Sequence, residues 1–250
     1  MVTGLDKFKE FFADYRDCYV LIGGSACDVY FTDQELPFRV THDLDMILCV
    51  EALTPAFFNR FWQFIREGGY EHRQKADGHR QFYRFTGPTS PGYPAMLELF
   101  ARKADFLSPE VDGHLTPIAA GEEASSLSGI LLDQDYYDFV MANRREVEGV
   151  TILEPIALMV LKAIAWLDLT EKKEAGDRHA YSKDIGKHKN DIARIAATVG
   201  VRDYGLPVVI KEKLRAFMAR YADADIDVSA LGVPVSGEEI KRRLAICFGV

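Results

Sequence analysis

The chain has 250 residues, 48% of them hydrophobic, enough to bury a substantial core in one large domain or two modest ones. A net charge of -8 and a pI near 5.3 exclude a general basic field that would draw in nucleic acid or an anionic membrane, so any polyanion binding must be local. The N-terminal MVTGLDKFKEFF is too charged for a signal peptide, and no stretch approaches the roughly 18 apolar residues of a membrane span, so a cytoplasmic location is expected.

Taken in chain order, residues 5–15 repeat apolar side chains at helical spacing, and CYVLI at 18–22 reads as a buried strand ending at Gly23-Gly24. Ser25 then opens SACDVYFTD as a helix N-cap, which puts the two glycines in a strand-to-helix turn. DLDMILCV at 43–50 is a second strand, and 54–67 is an amphipathic helix with Thr54 as cap and Pro55 at its first position. Residues 81–86 and 93–100 read as hairpin strands around GPTSPG, and weaker strand signals lie near LTPI, LSGILL and GVTIL.

At Pro155 the pattern turns to helices, over 155–169, 182–198, 206–221 and 236–247. The expected fold class is therefore α+β, with a mixed sheet and flanking helices over 1–153 and an all-helical C-terminal domain over 154–250. Residues 1–150 hold 14 Lys/Arg against 24 Asp/Glu, and 151–250 hold 16 against 14, so the excess acid lies in the first part. The cysteines at 18, 27, 49 and 247 lack the paired spacing of a zinc site, and three sit in apolar runs, which reads as reduced core residues.

Chemistry enters with Asp43 and Asp45. Strand side chains two apart share a face, so both carboxylates project together while Leu44 points the other way. Such a pair repels itself unless a cation lies between, and Mg2+ suits it, since that ion binds through one or two carboxylates plus waters and substrate phosphates. Glu98 in MLELF is a further acid framed by apolar residues, and a neighbouring antiparallel strand would bring it beside the pair. Three carboxylates then suffice for two ions about 3.5–4 Å apart, with Glu98 on the ion that activates a hydroxyl. The Gly23-Gly24-Ser25 turn adds close backbone approach, helix N-terminal N–H groups and a hydroxyl for phosphate oxygens.

These residues resemble the nucleotidyltransferase superfamily that includes DNA polymerase β, whose signature here is Ile22-Gly23-Gly24-Ser25, Asp43-Leu44-Asp45 and Glu98. Within it the chain is most similar to the AbiEii/AbiGii-type nucleotidyltransferase toxins, through Arg39-Val40-Thr41-His42-Asp43-Leu44-Asp45, the lysine helix around Lys162, and the stretch from Ser182 to Asp191. The resemblance covers about residues 18–195. It implies a polymerase β-like nucleotidyltransferase domain that moves an NMP from an NTP to an acceptor hydroxyl on RNA such as tRNA, with Mg2+ as cofactor and a separate antitoxin as partner.

By the same resemblance Asp43, Asp45 and Glu98 are the catalytic and metal residues, and Gly23, Gly24, Ser25, Arg39, Thr41, Lys162, Lys183, Asp184 and Lys187 bind nucleotide. Lys162 and Lys183 would contact the triphosphate, and Asp184 would position a lysine or a nucleotide group. Two departures stand out: 17 residues separate Ser25 from Asp43, which suggests an insertion near DQELPF at the site's entrance, and the third acid is Glu where Asp is frequent.

Independently of family, Lys162 interrupts an apolar helix and must snorkel or find an anion. Segment 178–194 is the most basic stretch, open to reading as a solvated helix face or as a phosphate or RNA contact. Two other functions compete: transfer to a cationic small molecule such as an aminoglycoside, which the acidic surface suits, and a non-catalytic nucleotide-binding module.

Overall fold

The computed structural model of the protein describes residues 2–72, 82–100 and 133–250. In chain order the elements are α1 (Leu5–Phe11), β1 (Tyr19–Ile22), α2 (Gly23–Asp33), β2 (Asp43–Leu48), α3 (Pro55–Gly68), β3 (Glu71–His72), β4 (Phe82–Thr86) and β5 (Met96–Phe100). Then come α4 (Gln134–Ala142), β6 (Arg144–Val147), β7 (Val150–Leu153), α5 (Pro155–Glu174), α6 (Ser182–Thr198), α7 (Val208–Tyr221), α8 (Val228–Leu231) and α9 (Gly237–Phe248). The expected strands near LTPI and LSGILL lie outside the described residues. The α4 helix and the β6 strand carry no expectation from the sequence.

The strands form one mixed sheet in the order β3-β4-β5-β2-β1-β7-β6, so the architecture is α+β with flanking helices. β1 is antiparallel to β2 and parallel to β7, and β4 is antiparallel to β5, as the hairpin reading requires. One expectation is corrected: β5 runs parallel, not antiparallel, to β2. The cause is α3, which crosses between the two halves of this arrangement; β4 then makes the hairpin and β5 returns in the direction of β2.

Each face of the sheet has its own cover. On one side α1 and α3 pack through Phe8, Phe12, Phe57, Phe61 and Phe64, with Tyr19 of β1 and Phe85 of β4 meeting the rings edge-on. Burying each such phenyl ring contributes about 1.5–3 kcal/mol, so this cluster is a main anchor for the central strands. The α3 helix starts as its sequence demands: Thr54 Oγ1 accepts from the Phe57 N–H, Pro55 is its first residue, and Gly69 ends it in the left-handed region.

On the other side lie α2 and the helices that follow β7. α5 is buried on nearly every face as far as Leu169, and Trp166 meets Phe217 and Tyr221 of α7 edge-on. One contiguous apolar cluster joins these helices to the sheet. The four cysteines are free and buried, matching their reading as core residues. Among the described residues no helix is long and apolar enough to cross a membrane.

Candidate functional site

β1 and β2 are central strands, and α2 follows β1 without an intervening loop. Gly23 makes this possible at φ +64, a conformation costly for any residue with a Cβ. The same glycine leaves room for a neighbour: a Cβ on Gly23 would overlap Asp45 Oδ2, and one on Gly24 would lie 2.8 Å from Thr41 Oγ1 and 3.3 Å from the Arg39 guanidinium. The glycine turn is thus packed directly against Asp45, Thr41 and Arg39.

Because the helix begins at Gly23, Ser25 is not its cap. The cap position is Ile22, and Ser25 is fully buried with its hydroxyl donating to the Ile22 carbonyl at 3.0 Å. That hydroxyl is committed to the backbone, while Gly23 and Gly24 line an adjacent cavity of about 450 Å³.

Asp43 and Asp45 also line this cavity from the same face of β2, both half-buried. Asp45 stands opposite Glu98 in the parallel β2–β5 register, so the three acids share one face across neighbouring strands. Glu98 is engaged by a residue the sequence did not single out. Arg84 sits opposite Glu98 on the antiparallel side, and its guanidinium donates to Glu98 Oε1 through Nε at 2.6 Å, with Nη2 2.5 Å from the same oxygen.

The sequence implies a divalent ion, and these carboxylates are the donors that would hold it. Asp43 and Asp45 offer hard oxygen ligands on one cavity wall, which fits a single Mg2+. Among the described residues, however, no three His, Cys, Asp or Glu side chains come together as a metal-ligating group. Glu98 Oε1 is held by a cation instead. At an effective dielectric near 20, Arg84 would repel a second ion about 4 Å away by several kcal/mol, offsetting much of the attraction that Glu98 would supply.

The helical side of the cavity is cationic, and one acid organises it. Asp191 of α6 is fully buried and accepts two hydrogen bonds from Arg39, Nε to Oδ1 at 3.0 Å and Nη2 to Oδ2 at 2.9 Å. Lys162 of α5, only 5% exposed, donates to Asp191 Oδ2 at 2.9 Å, and Arg194 lies 3.7 Å from Oδ1. One carboxylate therefore serves three cations, and one of them, Arg39, lies beside the start of α2. Burial alone would raise the Asp191 pKa, but Lys162 and Arg39 outweigh it and hold the carboxyl well below its ordinary range. Burial likewise works against the Lys162 charge, yet Asp191 more than compensates and raises its pKa.

Lys162 did find an anion, and it is Asp191. Asp184 pairs with Lys187 at 3.0 Å at the more open end of the same wall, where both line the cavity. Lys183 is exposed and is not part of the cavity lining. Positions 184, 187, 188 and 191 recur at helical spacing, so α6 presents Asp184, Lys187, His188 and Asp191 on one face. That spacing was the signal available for Asp191. His179 and Tyr181 line the cavity from the segment before α6, and Leu158, Leu161, Ala165 and Leu169 give it an apolar wall from α5. His42 is exposed and not part of the lining.

Compared with known proteins, the chain matches no family model and no curated sequence.

Proposed function

We propose that the protein is a divalent-metal-dependent nucleotidyltransferase of the polymerase β-like fold, which moves an NMP from an NTP to an acceptor hydroxyl on RNA such as tRNA. The observation that carries this reading is a single cavity with two chemically opposite walls. Asp43 and Asp45 line it from the strand side, with the glycine turn packed against Asp45, and Arg39 and Lys162 line it from the side that Asp191 organises. A metal-bound polyphosphate needs both: carboxylates for the ion, and N–H groups with fixed cations for the phosphate oxygens.

A triphosphate at the start of α2, where Gly23 and Gly24 line the cavity, would meet the N–H groups that open that helix. Arg39 and Lys162 are held in place by Asp191, so their charges require no reorganisation when phosphate arrives. Asp43 and Asp45 would hold the ion, which would neutralise phosphate oxygens and ease deprotonation of the acceptor hydroxyl. The acceptor oxygen bonds to the α-phosphorus as the bond to the β-phosphate oxygen breaks. Pyrophosphate leaves, and the acceptor proton passes to water.

As a toxin of the AbiEii/AbiGii type, the protein would arrest growth when expressed without an antitoxin partner. The test is incubation with labelled NTPs and Mg2+ against tRNA, total RNA, protein and aminoglycosides. Label on RNA with release of pyrophosphate is the expected result, and label on the drug alone would remove RNA as acceptor. Tight Mg2+-dependent NTP binding with no pyrophosphate from any acceptor would identify a non-catalytic module. Asp45→Asn is expected to lower turnover about 100-fold or more, since even the residues behind metal ligands are worth about 10–100-fold. Unchanged turnover in that variant refutes the assignment.

A further inference from the structure

The clearest departure of this cavity from a two-ion centre is Arg84. Two-ion centres set their ions about 3.5–4 Å apart and bridge them with carboxylates from one cluster. Here the carboxylate available for the second ion is Glu98, and two nitrogens of Arg84 converge on its Oε1. The arrangement is fixed by the backbone, because Arg84 and Glu98 are direct cross-strand partners in the β4–β5 hairpin and both line the cavity. Glu98 is largely buried, and the residues flanking it on β5, Leu97 and Leu99, are buried on the opposite face. Its carboxylate is therefore constrained to the cavity wall beside Arg84.

We infer that Arg84 stands at the third carboxylate in place of a second divalent ion, so that the site takes one ion, on Asp43 and Asp45. Arg84 acts here as a positioning residue: it fixes Glu98 and determines how many ions the site accepts. This inference rests on the nucleotidyl-transfer reading.

The experiment counts Mn2+ per chain by calorimetry and by the electron paramagnetic resonance signal, with a non-hydrolysable NTP analogue present. Wild type, Arg84→Lys and Arg84→Gln are compared. One Mn2+ is expected in the wild type and in Arg84→Lys, which keeps the charge. Arg84→Gln is expected to gain a second, with the broadened signal of two coupled ions. Two coupled ions in the wild type overturn the inference and leave nucleotidyl transfer standing. A single ion in a folded Arg84→Gln chain also overturns it, because Glu98 would then not be kept from a metal by Arg84. Should Arg84→Gln not fold, the wild-type count decides alone. A wild type that binds neither nucleotide nor Mn2+ overturns the inference and the functional reading together.

Discussion

Replacing Asp191 by Asn keeps its shape and removes the charge on which Arg39, Lys162 and Arg194 converge. Lys162 has almost no access to solvent, so its ammonium would be left buried without a counter-charge. Removing one partner of such a pair costs about 3–5 kcal/mol. Arg39 adds less than its geometry suggests, because its side chain is 28% exposed and regains hydration. At about 2–4 °C per kcal/mol for a chain of this size, the melting temperature should fall by roughly 6–20 °C. Differential scanning calorimetry at pH 7 measures it. Replacing the pair together, by Lys162→Met with Asp191→Leu, removes both buried charges and should recover most of the loss. A fall below about 2 °C for Asp191→Asn would refute the view that this carboxylate organises the cationic wall.

The same group gives the acid limb of stability. The folded-state pKa of Asp191 lies below its ordinary value of 3.8, so below about pH 4 the unfolded chain takes up a proton that the native one refuses. Its contribution is complete above that range and is lost as pH falls towards the folded value. Asp191→Asn should flatten that part of the profile. Lys162 has the opposite sign: its raised pKa gives stability that is complete below 10.5 and lost only as pH rises beyond it.

Two further substitutions separate the site from the scaffold. Gly23→Ala places a methyl at φ +64 and against Asp45, so it should cost at least about 1–2 kcal/mol from backbone strain alone and weaken Mg2+-dependent NTP binding; calorimetric titration would measure that binding. Thr54→Ala removes the hydroxyl that accepts from the Phe57 N–H and should cost about 1 kcal/mol, read as a small fall in melting temperature with nucleotide binding unchanged.

Features with a local cause were legible in the chain itself. The glycine turn, the shared face of Asp43 and Asp45, the Thr54-capped helix and the helices after Pro155 follow from periodicity, caps and glycine conformations spanning a few residues. Lys162 also declared that it needed an anion, because a charge in an apolar helix cannot stay unsatisfied. The identity of that anion was decided by tertiary structure. Asp191 lies 29 positions from Lys162 and 152 from Arg39, and only the packing of α5 on α6 and of the Arg39 segment on both makes them neighbours. Arg84 reached Glu98 through a hairpin register that the intervening loop sets, and β5 ran parallel to β2 because of a crossover. Local sequence thus fixed which side chains share a face; which faces meet, and which charge neutralises which, arose only when distant segments closed on a common core.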